Sequence, residues 1–239
     1  MKNIRRAAKL CLAKYALRGK VYAMPNRSDA EEHLRIIRSL MEKATIYRAI
    51  SAPTALVGGL VSIIAACALS TALPAGAEFV PRLRLVFLGG WLAVLAITAA
   101  ANTWFLWRDA CRRGDRFLSA GMRAAVRAFS PSYLAAAFLT ALLATSSPEI
   151  LPPVWMLFYG LGLLATQHFA PRSIALLGWA FFAAGPLLIM ADMAKVFESL
   201  GVIRHANLAM GATFGLFHLI YAACTWLRRG RGAEDGAQP

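Results

Sequence analysis

The sequence predicts an all-α integral membrane protein, with six transmembrane helices preceded by a cytoplasmic amphipathic helical segment. Three observations predict it. The 239 residues are 59% hydrophobic and only 16% charged, where soluble domains sit nearer half apolar and a quarter charged. The apolar residues fall into six runs, each near the ~20 residues that cross a hydrocarbon layer. The basic residues gather at the ends of those runs on one side, as the positive-inside rule requires.

The six spans are placed at about 52–73, 85–107, 133–147, 154–169, 174–191 and 208–227. Pro53 suits the first turn of the first span, where a missing N–H does no harm. The third and fourth are short and are separated by SSPEILPP. Proline there interrupts helix, so this pair reads as a tight transmembrane hairpin, with one re-entrant unit as the alternative. The chain then divides into a basic amphipathic region, 1–50, a transmembrane domain, 51–229, and a short polar tail, 230–239.

Orientation follows from the charges. With a cytoplasmic N-terminus, 22 of the 26 Lys and Arg lie on the cytoplasmic side and 4 outside, namely Arg82, Arg84, Lys195 and Arg204. Both termini are therefore expected in the cytoplasm. Arginine outnumbers lysine 20 to 6 and alanine is abundant, a composition that fits a bacterium with a GC-rich genome and hence its inner (plasma) membrane. The net charge of +14 is explained by topology. No recognition motif accompanies it, so a nucleic-acid partner is not expected.

Two cytoplasmic features are organised enough to name. Residues 1–24 carry many basic positions with an opposing stripe of Ile4, Ala8, Cys11, Leu12 and Tyr15. They read as a helix on anionic lipid or as a solvated tail, and also resemble a mitochondrial transit peptide. After Pro25, Ser28 and Glu31 match a capping box, and Ile36, Ile37, Leu40, Met41, Ala44 and Tyr47 recur at helical spacing. That stripe is expected against the chain's own body, the membrane surface or a partner chain. The stretch 108–130 sets Phe117, Leu118, Met122, Val126 and Phe129 among arginines. It reads as an interfacial helix whose Arg112, Arg113, Arg116, Arg123 and Arg127 meet lipid phosphates or an acidic partner, or as a loop that only fixes topology.

Candidate chemistry centres on His218, near the middle of the sixth run. A polar side chain at membrane depth costs a few kcal/mol unless it finds a partner. Six spans with a histidine in the sixth resemble the rhomboid intramembrane proteases. That family also needs a GxSG serine in the fourth span, where this chain reads YGLGLL, and its glycines follow the histidine, whereas Gly211 and Gly215 precede it. The resemblance therefore carries no acyl chemistry. A haem held by His218 and His168 would need ligands at one level, and their distances from Arg228 and Arg172 place them roughly 9 Å apart along the normal. No cofactor is assigned. Thr98, Asn102, Gln167 and His218 could line a polar path or bond between helices, and no Asp or Glu lies deep in a span. Gly58, Gly59, Gly89, Gly90, Gly211 and Gly215 are expected at close helix contacts, within the bundle or in a homodimer through the GxxxG of Gly211 and Gly215. FLGGWLAV in the second span echoes ALLGWAFF in the fifth. Inverted repeats would have such an offset, but the other spans do not align. The four cysteines are isolated, so a disulfide framework or zinc site is not expected.

P-loop, HExxH, dinucleotide and paired-carboxylate motifs are missing from the sequence. The expectation is a non-enzymatic signalling, regulatory or assembly module that presents cytoplasmic helices to a protein partner from the lipid bilayer. A small-molecule or ion transporter component is the alternative, and a membrane haem protein or enzyme using His218 comes third.

Overall fold

The structure is a computed structural model that describes residues 31–37, 52–72, 81–114, 117, 120–168, 170–196, 199 and 201–235. Among these residues every regular element is a helix, joined by short turns, and no strand is present. The chain divides into two units, Met1–Met41 and Glu42–Pro239. In the first, residues 31–37 form helix, with Arg35 and Glu32 paired one turn apart at 3.4 Å. The basic stripe of 1–24, the cap residue Ser28 and Leu40 to Tyr47 lie outside the described residues.

The second unit contains α1 (Ala52–Ala72), α2 (Pro81–Arg113), α3 (Ala120–Leu143), α4 (Leu151–Ala165) and α5 (Arg172–Met193). Its last rod is one continuous helix in three parts. These are α6 (Val202–Met210), a π-helical segment over Gly211–Phe217, and α7 (His218–Asp235). Six of these rods are long and apolar enough to cross a membrane.

Several rods outrun the apolar stretches that mark them in the sequence. α2 has 33 residues, about 50 Å of helix, against a hydrocarbon core of about 30 Å. It ends only at Gly114, whose φ of 67° is the left-handed geometry that glycine adopts freely at a helix C-terminus. α3 begins at Ala120 and carries Pro131 inside it. Proline cannot bond the carbonyl four residues back, that of Arg127. The Ser130 hydroxyl donates to that carbonyl at 3.3 Å, so the helix passes through. The separate interfacial helix expected over 108–130 is thus divided between the end of α2 and the start of α3. The prolines of SSPEILPP also act differently from expectation. A 3₁₀ turn at Pro148–Ile150 leads straight into α4, with Pro152 and Pro153 in its first turn, positions that need no N–H partner.

The helices pack in two groups of three. α4 packs between α3 and α5, and α4–α5 is the most extensive pair. α1 packs on α2 and on all three parts of the last rod. Glycine sets both approaches. A Cβ on Gly160 would lie 2.5 Å from the Phe182 amide nitrogen and 2.7 Å from the Gly178 carbonyl oxygen. One on Gly185 would lie 2.8 Å from the Pro153 carbonyl. These backbones touch because nothing stands between them. On the other face of α4, Gly162 receives the Tyr133 ring, 2.9 Å from an added Cβ.

Candidate functional site: a Tyr159–His218 pair at a π segment

The interior polar site grows from the break in the last rod. Gly211 and Gly215 press on α1, where added Cβ atoms would meet Ala66 Cβ at 2.6 Å and Ile63 Cγ1 at 2.5 Å. Between them the hydrogen-bond ladder widens to π geometry. Such a bulge adds about one residue to a turn and so rotates the rest of the rod by about 100° relative to an unbroken α-helix. Thr213 donates to the Ala209 carbonyl at 2.8 Å where the ladder changes register. His218 is the first residue beyond the π segment.

Both imidazole nitrogens of His218 are engaged. Nδ1 lies 2.8 Å from the Phe214 carbonyl oxygen, and Nε2 lies 2.7 Å from the Tyr159 hydroxyl. A carbonyl only accepts, so Nδ1 carries the proton, and in the neutral ring Nε2 accepts from the Tyr159 O–H. Tyr159 sits one residue before the glycine that brings α4 against α5. Its ring is packed by Phe181 at 4.7 Å, Phe214 at 5.2 Å and Tyr133 at 6.3 Å between centroids. Phe181, fully buried, also meets Phe217 and His218. The pair therefore joins α4 to the last rod inside an aromatic shell.

Two further polar bonds share this character. Trp91 of α2, 4% exposed, donates its indole N–H at 2.9 Å to Asn207 Oδ1 of α6, 0% exposed. Trp155 donates to Thr140 Oγ1 at 2.8 Å and stacks on Phe87, centroids 6.2 Å apart. The Asn207 amide nitrogen and Ser70 Oγ are buried with no hydrogen-bond partner. The tight α1 contacts pair residues 59 and 66 with 215 and 211, an antiparallel register that brings residue 70 to the level of residue 207.

The expected polar residues do not assemble around His218. Gln167 and His168 are exposed in the turn after α4, so the histidine pair considered for haem is not formed, and both nitrogens of His218 are already bonded. Thr98 packs over Gly58, 2.9 Å from an added Cβ, and Asn102 is half-buried on α2. Among the expected packing glycines, Gly59 meets Leu219 and the Gly215 carbonyl, and Gly90 meets Leu69. Gly89 has nothing within 4 Å. Gly211 and Gly215 are occupied inside the chain, against α1. Arg112, near the end of α2, and Arg123 and Arg127, in the first turns of α3, are exposed. Arg113 ends α2, and Arg116 lies outside the described residues. At the matched tryptophans of spans two and five, Trp91 is buried while Trp179 is 55% exposed.

Tyr159, Asn207, Trp91 and the glycines of α4 and α5 were not singled out by sequence. Gly178 and Gly185 had a readable signal, because a seven-residue spacing keeps them on one helix face.

Fold and site together define a helical protein with six rods able to cross a membrane and an interior polar network that ties helix to helix. Compared with known proteins, the chain matches no family model, no curated protein and no solved structure.

Proposed function

We propose that the chain is a multi-pass protein of a bacterial inner membrane, with both termini cytoplasmic, that acts as a non-enzymatic signalling, regulatory or assembly module. Insertion is supported by large apolar side chains that point outward, among them Leu85, Leu134, Phe138, Leu187 and Trp226. In water such a surface would aggregate, and in lipid it is at home. The distribution of Lys and Arg supports the orientation.

The observation that carries the functional reading is three interior polar pairs bonded across helices. Tyr159 with His218, Trp91 with Asn207 and Trp155 with Thr140 bond each other across helices. In a conducting path such groups would face water or cargo; here they act as interhelical links. The exposed arginines Arg112, Arg123 and Arg127 and the 31–37 helix are then the surfaces offered to a partner.

The test is crosslinking in the native membrane followed by identification of the captured protein. A single partner, lost when residues 29–50 are scrambled, supports the module. Solute uptake by the purified chain in proteoliposomes, with no captured partner, would favour the transporter reading instead.

A further inference from the structure

At the end of the bundle opposite the arginine cluster, a cavity of about 260 Å³ opens between the 3₁₀ turn, the end of α5 and the start of α6. Its polar lining is Glu149, Asp192, Lys195 and His205, and Leu188 and Ala206 contribute apolar wall. His205 Nδ1 meets Asp192 Oδ1 at 3.0 Å, which fixes the two helix ends to each other.

The backbone here is unusual. Lys195 has φ 55°, the only non-glycine residue with positive φ among those described. It follows α5 where its N–H caps the Asp192 carbonyl at 3.0 Å. Glycine adopts this conformation with less strain. A lysine held there brings an ammonium to the rim of a cavity that otherwise carries two carboxylates.

The lining thus offers both signs of charge within one small volume. Among the described residues no three His, Cys, Asp or Glu side chains could hold a metal ion, so the carboxylates suit an organic cation. A cavity of about 150 Å³ takes benzene, with six heavy atoms, so this one suits roughly ten. The cavity lies at the ends of membrane-length helices; on the membrane insertion proposed above, on which this inference rests, that is the level of the lipid headgroups.

We propose that this cavity binds a compact zwitterion, with a primary ammonium between Glu149 and Asp192 and a phosphate or carboxylate on the Lys195 side. The same chemistry occurs in the head of phosphatidylethanolamine and in free zwitterions such as amino acids, and the experiment separates the two. The full chain is exchanged into vesicles of equimolar phosphatidylethanolamine and phosphatidylglycerol and then released for native mass spectrometry. Calorimetric titration with phosphoethanolamine and with glycine runs in parallel.

Retention of phosphatidylethanolamine over phosphatidylglycerol by fivefold or more, falling to near parity in Glu149→Gln/Lys195→Met, supports the site with a lipid source. Saturable binding of either soluble zwitterion, weakened tenfold or more in the same variant, supports it with a free ligand. Glu149 and Lys195 are both exposed, so this variant leaves the helix packing intact. Arg112→Gln, at the other end, is expected to change neither readout. No lipid preference together with no soluble binding, or a preference unchanged in the double variant, would overturn the proposal.

Discussion

Placing one methyl group on Gly160 is expected to force α4 and α5 apart. The added Cβ would stand 2.5 Å from the Phe182 nitrogen, 2.7 Å from the Gly178 oxygen and 2.9 Å from the Phe182 Cα. All three are backbone atoms, so no side chain can rotate away. Reaching ordinary contact at 3.4 Å requires the helices to part by about 0.9 Å. A gap of that size forfeits a quarter to a half of the dispersion attraction along the contact. The cost falls in the overpacking range of about 1–3 kcal/mol, roughly a 5- to 160-fold loss in the folded ratio at 25 °C. The control is Gly89→Ala. Its Cβ meets nothing within 4 Å, and removing a helical glycine stabilises by about 1 kcal/mol in an exposed helix. The assay is thermal unfolding of the purified protein in detergent, followed by intrinsic fluorescence of its six tryptophans. Gly160→Ala should lower the midpoint by roughly 2–12 °C, and Gly89→Ala should hold or raise it. Equal midpoints for the two variants would refute the glycine-contact argument for the α4–α5 pair.

Three further outcomes are expected. Trp91→Phe removes the donor to a fully buried amide oxygen and should cost about 1–3 kcal/mol, measured by the same unfolding assay; a loss below the noise would show that Asn207 finds another donor. The Tyr159→Phe and His218→Leu variants, combined in a double-mutant cycle, should show a coupling of roughly 0.6–1.7 kcal/mol, the range for hydrogen bonds between membrane helices. Additive effects would mean that the two side chains do not bond. Ser130→Ala exposes the Arg127 carbonyl that Pro131 leaves without its helical N–H. Amide exchange should rise for the residues flanking 127–131 and stay unchanged in α4, and unaltered exchange there would remove the serine from the account.

The six rods were legible because each carries a run of apolar residues that no soluble core would need. Their ends were not, because helix formation is not confined to the hydrocarbon. α2 runs on through Arg108 to Arg113 until Gly114 supplies a left-handed residue. Pro152 and Pro153 looked like breakers and are starters, since their meaning depends on which turn of a helix they occupy. His218 was legible as a buried polar group in need of a partner. Its partner was not, because tyrosine in a span reads first as an interfacial ring, and only the rotation introduced at Gly211–Phe217 turns His218 toward Tyr159. Asn207 escaped notice for a simpler reason. It precedes the apolar run that marks the sixth span, yet it lies inside a helix that begins at Val202. The glycines of the α1 contact were legible as GxxxG, whereas Gly160 and Gly162 stand two apart and serve opposite faces of α4.

The central claim is a closed, helix-tied bundle whose arginine-rich end faces the cytoplasm. Single cysteines in a cysteine-free background, probed with a membrane-impermeant maleimide in intact cells and in opened membranes, test it most directly. Glu149→Cys should label in intact cells, Arg112→Cys only after the membrane is opened, and Asn102→Cys and His218→Cys in neither. Labelling of Arg112→Cys in intact cells would reverse the orientation, and ready labelling at Asn102 and His218 would replace the closed bundle with a water-filled path.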